Sequence, residues 1–270
     1  MIIILSPAKT QSFEDDTFPG VEAEQSRLGV PGTDPVFLER SADLVRLLRS
    51  LDEVQIKALF RVSDEIAAET RRRIHVWRGA LGGSGALPAI QVLRGEAFRA
   101  FDARTLSAAD LRWAGNRLRI FSGLYGLLRP MDLIEPYRLD VQTRLENPYG
   151  PTVFHAWRDA VGSRIAAELG GSLPDRGGVV LNLASGEYAR LLTHPGLKGR
   201  VVTATFKEQN GDARKIVGVY AKRARGLMAR WIVRSRIVSP GQIDGFHEEG
   251  YALAPDLSCE TERVFVRERA

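Results

Sequence analysis

Three segments combine cations, carboxylates, hydroxyls and aromatic rings in a way that helix or strand periodicity does not explain. They are residues 6–10, 122–140 and 182–188. Arginine offers a planar fork to phosphate or carboxylate, tyrosine offers a stacking face, and carboxylates can act as acid and base. The candidate catalytic residues are Lys9, Asp132, Asp140 and Glu187. The candidate ligand-binding residues are Ser6, Thr10, Tyr125, Arg129, Tyr137, Arg138, Asn182, Ser185 and Tyr188.

A structural explanation stays open for the same segments. The arginines and aspartates of residues 122–140 could form a network that fastens a long irregular loop. The serines and the threonine of the other two segments could begin helices as capping residues. Capping leaves Lys9, Asn182 and Glu187 unexplained, so a binding or catalytic site remains the alternative.

Positive charge is concentrated in one stretch of the chain. The 270 residues carry a formal charge of +5, yet residues 212–236 hold eight basic residues against the single acidic Asp212. At ~100° per residue, a helix over 217–232 would have a basic outer face without acidic partners three or four positions away. Its apolar arc would hold Ile216, Val219, Tyr220, Ala224, Leu227, Met228 and Trp231. Either a solvated face or phosphate binding would explain this pattern. The candidate nucleic-acid-binding residues are Lys215, Lys222, Arg223, Arg225 and Arg230.

The elements that must position these residues alternate between strands and helices. Apolar, β-branched runs predict strands at 1–5, 118–121, 179–183 and 201–206, with helices at 36–77, 152–169 and 187–192. This alternation indicates an α/β or mixed α+β fold with helices around one central sheet, in a single domain over 1–270. Because each of the three polar segments follows or ends a predicted strand, parallel pairing would gather them into one concave site.

Several classes of protein are not supported. The chain lacks G-x-x-x-x-G-K-[ST], G-x-G-x-x-G and G-x-S-x-G motifs, and its four histidines have no metal-ligand spacing, so no metal or cofactor is expected. No run approaches ~18 apolar residues, which argues against a membrane partner. The single cysteine, Cys259, excludes an internal disulfide and favours a cytoplasmic protein. Its neighbour Glu260 is expected to disfavour the thiolate.

The motifs themselves resemble a known family. They are IIILSPAKT at 2–10, GEAFRAFDA at 95–103, FSGLYGLLRPMDL at 121–133, PYRL at 136–139, NLAS at 182–185, EY at 187–188, YAKRARG at 220–226 and GY at 250–251. Together they make the chain similar to the YaaA family of peroxide-stress proteins over nearly its whole length. Asp140 stands where that family usually has Glu, and Val141 replaces a typical Met.

The resemblance implies a cytosolic protein that limits oxidative damage to DNA under hydrogen peroxide and binds double-stranded DNA. It also implies an unusual α/β fold with a helix-hairpin-helix-like element and a positively charged cleft. In this family protection is linked to low free iron. Residues 222–227 are the nearest candidate for the hairpin element.

An enzyme that acts on nucleotides or nucleobases is the alternative function. In N-glycosidic bond cleavage or transfer, a carboxylate such as Glu187, Asp132 or Asp140 would stabilise an oxocarbenium-like state. Tyr125 or Tyr137 would stack on the base, and Lys9 with Arg129 would hold phosphate. The expected partners are therefore double-stranded DNA and a nucleotide or nucleobase ligand.

Overall fold

The computed structural model describes residues 1–13, 29–79, 85–172 and 178–268. Within these ranges the strands are β1 (Ile2–Leu5), β2 (Thr10–Gln11), β3 (Leu87–Pro88), β4 (Leu93–Arg94), β5 (Leu118–Ser122), β6 (Gly126–Leu128), β7 (Leu133–Ile134), β8 (Val180–Leu183), β9 (Val201–Asn210), β10 (Ala213–Lys215), β11 (Ala252–Leu253) and β12 (Glu262–Glu268). The helices are α1 (Leu38–Arg49), α2 (Glu53–Phe60), α3 (Asp64–Val76), α4 (Ala89–Val92), α5 (Glu96–Phe101), α6 (Ala108–Arg117), α7 (Val153–Ser172), α8 (Gly186–Ala189) and α9 (Gly218–Ser235).

The central sheet is mixed, with a parallel middle and antiparallel edges. Its strand order is β11-β12-β9-β8-β1-β5-β6, and β10 pairs with β9. Strands β12, β9, β8, β1 and β5 run parallel, while β11, β6 and β10 pair antiparallel with their neighbours. The predicted mixed α/β architecture, a central sheet flanked by helices, is confirmed. Parallel pairing brings the carboxyl ends of β1, β5 and β8 to one edge of the sheet.

Strand β1 is apolar because it lies in the middle of the sheet. All four of its residues are buried, with Ile3 and Ile4 fully so. Parallel strands covered on both faces are typically such continuous apolar runs. Strand β9 instead alternates buried with partly exposed residues, as a strand with one covered face does.

The chain that follows β5 is held by a buried tryptophan of α7. The indole N–H of Trp157 donates to the Gly123 carbonyl at 2.8 Å. Gly126 has a φ of +70°, and a Cβ there would lie 2.5 Å from the Trp157 ring. Glycine is therefore required at 126 both for its backbone conformation and for the close ring contact.

Helix α9 forms where the basic segment predicts a helix, but its buried face differs from the predicted one. Ile216 and Val219 were expected on the apolar arc, yet they are 57% and 49% exposed. Strand β10 ends only at Lys215, so the helix begins later and Ile216 lies in the connection before it. The buried residues of α9 are Ala221, Ala224, Gly226, Met228, Ala229, Ile232 and Val233.

The hairpin suggested for residues 222–227 is not present at that position. These residues lie inside the continuous helix α9, so they contain no turn. A helical hairpin does occur at α2 and α3. It turns at Arg61, which has a left-handed φ of +52°, and Ser63 is the capping residue that precedes α3.

Among the helices of the described residues, none combines the length and apolar composition that crossing a membrane requires.

Candidate functional site

A cleft of about 810 Å³ opens beside the carboxyl ends of β1 and β8. This volume falls in the range of sites for small molecules and nucleotides. The residues that line the cleft come from six parts of the chain. They are Leu5, Ser6, Pro7, Ala8, Lys9, Thr10, Gln11, Leu59, Phe60, Arg61, Arg94, Gly95, Glu96, Ala97, Phe98, Arg99, Tyr137, Arg138, Leu139, Asp140, Gln142, Thr143, Leu183, Ser185, Glu187, Tyr188, Lys222 and Arg225.

Residues 6–11 form one wall of the cleft and are fixed at both ends. At the start, Leu5 of β1 lies opposite Leu183 of β8. At the end, β2 pairs antiparallel with β4. Between them, Ala8 lies so near Gly95 that a Cβ at 95 would be 3.4 Å from its own. Gly95 also has a φ of +129°, a backbone conformation that favours glycine.

Two serines join the ends of β1 and β8. The backbone N–H of Ser185 donates to Ser6 Oγ at 2.8 Å, and the two hydroxyl oxygens are 3.1 Å apart. Ser185 precedes the short helix α8, whose Glu187 and Tyr188 both line the cleft. The serine pair therefore sets the position of Glu187 relative to Lys9.

A second wall is formed by residues 137–143, which have no regular secondary structure and turn at 141–142. The Tyr137 hydroxyl hydrogen-bonds Ser122 Oγ at 2.8 Å, and its backbone N–H donates to Gln11 Oε1 at 3.1 Å. Burial raises the pKa of Tyr137 to about 12, so this phenol stays protonated. A Cβ at Gly123 would lie 2.1 Å from the Leu139 carbonyl oxygen, so this wall runs directly over Gly123.

The cleft is strongly positive. Of the described residues that line it, seven are basic and three are acidic. Asp140 lies 4.0 Å from Lys9, and Glu96 pairs with Arg99 at 2.9 Å. Within the described ranges, Glu187 makes no hydrogen bond or ion pair, and four cations make no ion pair. Those four are Arg61, Arg138, Lys222 and Arg225.

Arg225 has the most unusual surroundings of these four cations. Its Nε is buried and has no hydrogen-bond partner among the residues that the structure describes. Burial lowers the pKa of its guanidinium. The side chain is half-buried and enters the cleft because α9 packs tightly on α5. A Cβ at the next residue, Gly226, would lie 2.0 Å from the Ala97 carbonyl oxygen.

The structure brings many of the sequence-predicted site residues to this cleft. From the catalytic candidates it places Lys9, Asp140 and Glu187 there. From the others it places Ser6, Thr10, Tyr137, Arg138, Ser185, Tyr188, Lys222 and Arg225 there. The remaining candidates lie elsewhere: Asp132, Tyr125, Arg129, Asn182, Lys215, Arg223 and Arg230.

Asp132 and Tyr125 are buried and connect the chain after β5 to other parts of the fold. The Asp132 carboxylate accepts hydrogen bonds from Thr33 Oγ1 at 2.6 Å and from the Arg129 backbone N–H at 2.8 Å. The Tyr125 hydroxyl accepts from the Trp77 indole at 2.9 Å and from the Glu135 backbone at 3.0 Å. These contacts fasten the loop, but through a hydroxyl, an indole and backbone N–H groups and not through pairs of arginine and aspartate side chains.

Arg129 and Asn182 do not line the cleft either. Arg129 is exposed, and its backbone rather than its guanidinium bonds Asp132. Asn182 is buried at the end of β8, where its Oδ1 accepts from the Ala184 N–H at 2.9 Å and its amide donates to Thr203 at 3.2 Å. Its side chain shapes the turn that leads to Ser185.

The three basic residues outside the cleft are placed in different ways. Lys215 is exposed on β10. Arg223 is paired with Glu249 at 2.9 Å. Arg230 donates to the carbonyls of Phe101 and Asp102 at the end of α5, both at 2.9 Å.

Sequence reasoning did not select the part of the cleft formed by residues 59–61 and 94–99. Arg61, Arg94, Glu96 and Arg99 all line it. The signal that could have found the second group is Gly95 beside charged residues, since a glycine allows close backbone approach. No comparable signal marks Arg61.

The described ranges contain no group of three or more His, Cys, Asp or Glu side chains that could hold a metal ion.

Comparison with known proteins places the chain in a family. A family profile described as peroxide stress protein YaaA matches residues 1–257. The chain belongs to the YaaA family. Similar members include UPF0246 proteins of Ralstonia nicotianae, 41% identical over the full length of both chains, and of Paraburkholderia xenovorans, 40% identical over 99% of this chain and 98% of the other. Another, from Leptothrix cholodnii, is 38% identical over the full length of both. The cleft described above is thus built on the scaffold of a YaaA-family peroxide stress protein.

Proposed function

We propose that this YaaA-family chain limits oxidative, iron-dependent DNA damage during peroxide stress by binding double-stranded DNA at the cleft. The observation that carries the proposal is the excess of four positive charges among the residues that line it. Cations that neutralise phosphates release counterions, which supplies most of the sequence-independent affinity for DNA.

Individual residues would contribute differently to that binding. Lys9 has a side chain that is 78% exposed, and Lys222 is exposed as well. Both side chains can therefore change conformation to reach a phosphate of the DNA backbone. Arg138 is half-buried and has no acidic partner within the described ranges, so it offers a fixed fork. In this proposal the outer residues Lys215, Arg223 and Arg230 contribute little.

The test compares two double variants by fluorescence anisotropy on a duplex of arbitrary sequence. Arg138→Met with Lys222→Met removes two charges from the cleft, whereas Lys215→Met with Arg234→Met removes two from exposed positions outside it. We expect the cleft variant to bind about tenfold more weakly or worse, since a bond to a charged group contributes about 1.5–3 kcal/mol. The control should bind like the wild type. Equal affinity of the wild type and the cleft variant would refute the proposal.

Protection in cells follows from the same argument. A strain that carries only the cleft double variant should lose survival and accumulate DNA lesions under hydrogen peroxide, while the Lys215 and Arg234 control variant should protect normally. Full protection by a cleft variant that no longer binds DNA would separate the stress function from DNA binding.

A second candidate function is catalysis on a nucleotide or nucleobase, and Glu187 favours it. This carboxylate lines the cleft, is exposed, and has no hydrogen-bond or ion-pair partner in the described part of the chain. In hydrolysis of an N-glycosidic bond, water would add to the anomeric carbon as the base leaves with a proton. Glu187 would stabilise the positive charge that develops on the sugar.

Release of free base from nucleoside monophosphates or DNA, measured by chromatography, tests this second function. Turnover by the wild type that is lost in Glu187→Gln, with binding retained, would support it. Absence of base release from both substrates would remove it.

A further inference from the structure

The inner surface of the cleft carries a cation without a counterpart. Arg225 is half-buried, its Nε lacks a hydrogen-bond partner in the described structure, and no carboxylate pairs with its guanidinium there. A buried charge without a partner is costly, so such a group is usually matched by a ligand of opposite charge. Arg138 and Lys222 line the same cleft and are also without ion pairs in the described ranges.

A hydroxyl proton is also free in the cleft. The pair Ser6 and Ser185 has two hydroxyl protons, and only one of them can lie between the two oxygens, which are 3.1 Å apart. Ser6 Oγ already accepts from the Ser185 backbone N–H, and no other hydrogen bond to either hydroxyl occurs among the described residues. Whichever serine donates to the other, one O–H remains available to an acceptor on a ligand.

We propose that the cleft contains a subsite for a phosphate monoester, the terminal phosphate of a DNA strand or the phosphate of a free nucleotide. The subsite consists of the guanidinium of Arg225, the cations Arg138 and Lys222, and the free hydroxyl of the Ser6–Ser185 pair. This inference builds on the proposed function because it assigns a particular phosphate to the same cleft.

A monoester fits these groups better than the phosphodiester of an intact strand. A phosphodiester carries one charge and is flanked by a sugar on each side, which hinders access to a half-buried arginine. A monoester carries close to two charges at neutral pH and presents three oxygens. Two oxygens can accept from an arginine fork, and the third is free for a hydroxyl or a lysine.

The experiment uses short duplexes of one sequence with a phosphate at the 5′ end, at the 3′ end or at neither. We expect the wild type to bind one of the phosphorylated duplexes about 10- to 100-fold more tightly than the unphosphorylated one, the range of a charge-assisted bidentate contact. A nucleoside monophosphate should compete with that duplex, whereas the corresponding nucleoside should not. Equal affinity for all three duplexes together with no binding of the monophosphate would overturn the inference.

Variants of Arg225 test whether this residue causes the preference for a terminal phosphate. Arg225→Met should abolish the preference, so that all three duplexes bind with equal and somewhat reduced affinity, while the matched control Arg234→Met on the same helix should retain it. Arg225→Lys keeps the charge without the fork and should lose most of the preference. Thermal unfolding of each variant checks that it is folded, and the wild-type comparison stands even if Arg225→Met does not fold.

The outcomes distinguish this inference from the proposed function. Equal binding of all three duplexes, with no binding of the monophosphate, would leave DNA binding in place and remove the subsite. Binding of the monophosphate alone, with no affinity for any duplex, would retain the subsite for free nucleotides and remove DNA as the partner.

Discussion

At the residue scale, Asp132 shows how burial changes the chemistry of a carboxyl group. Burial raises its pKa to about 6, even though Thr33 and the Arg129 backbone donate to it and the charges of Arg129 and Arg119 oppose the shift. The folded state therefore holds a proton that the unfolded state releases near pH 4. Asp132 contributes stability below about pH 4 that is lost as the pH rises through 6.

We therefore expect the pH dependence of stability to change in Asp132→Asn. A pKa raised by about two units corresponds to roughly 3 kcal/mol. In the wild type this amount of unfolding free energy should be lost between pH 4 and pH 7, and in the variant it should not. Urea unfolding of both proteins across this range measures the difference, in which other titrating groups cancel. Parallel curves for the two proteins would show that Asp132 has an ordinary pKa.

The pKa of Cys259 is set by Thr261 and not, as expected from the sequence, by Glu260. The expectation that Glu260 disfavours the thiolate is wrong, because hydrogen bonds from the side chain and backbone of Thr261 lower the pKa of Cys259. The Thr261 hydroxyl lies 3.6 Å from Sγ.

Alkylation of Cys259 should accordingly reach half its maximal rate at a pH below the usual thiol value of about 8.5. Thr261→Val should move that midpoint upward. Cys259→Ser should leave DNA affinity unchanged, since Cys259 does not line the cleft. An unchanged midpoint in Thr261→Val would contradict the assigned cause.

At the element scale, the position of α9 decides where two of the cleft cations lie. Gly226 allows the helix to approach α5 so closely that a Cβ would lie 2.0 Å from the Ala97 carbonyl oxygen. Backbone cannot yield as a flexible side chain can, so Gly226→Ala should push α9 away and displace Lys222 and Arg225.

We expect Gly226→Ala to lower the unfolding free energy by about 1–3 kcal/mol, as overpacking does, and to weaken DNA binding. The control is Gly218→Ala at the start of the same helix, where a Cβ would meet no atom within 4 Å. It should be neutral or slightly stabilising. Equal stability of both variants would show that the approach of α9 to α5 is not constrained at Gly226.

The strands that could be predicted from sequence are those whose apolar composition reflects their burial in the sheet. Strands β1, β5, β8 and β9 are rich in apolar residues, and they occur within a few residues of the predicted positions. Strand β12 has only three apolar residues, Val264 to Val266, between charged pairs at both ends, and it was not predicted. The two-residue strands β2 and β4 are strands only because they pair with each other, and no local sequence pattern predicts a pairing between distant residues.

At the scale of the whole molecule, ion pairs with residues distant in sequence decide which basic residues remain unpaired. The basic segment has no acidic residues three or four positions from its cations, but other parts of the chain supply acidic partners. Arg214 pairs with Asp256 and Arg236 with Asp110, both at 2.7 Å. Only Lys222 and Arg225 of the eight basic residues in that segment line the cleft. The sequence could thus indicate a basic site, whereas its location depended on tertiary contacts.

The salt dependence of duplex binding tests the central claim most directly. A plot of log affinity against log salt concentration has a slope of about −0.9 for each phosphate neutralised. We predict that Arg138→Met with Lys222→Met makes the slope shallower by about 2, and that Lys215→Met with Arg234→Met leaves it unchanged. An unchanged slope in the cleft variant, with a shallower slope in the control, would contradict the account and place DNA on the outer basic face.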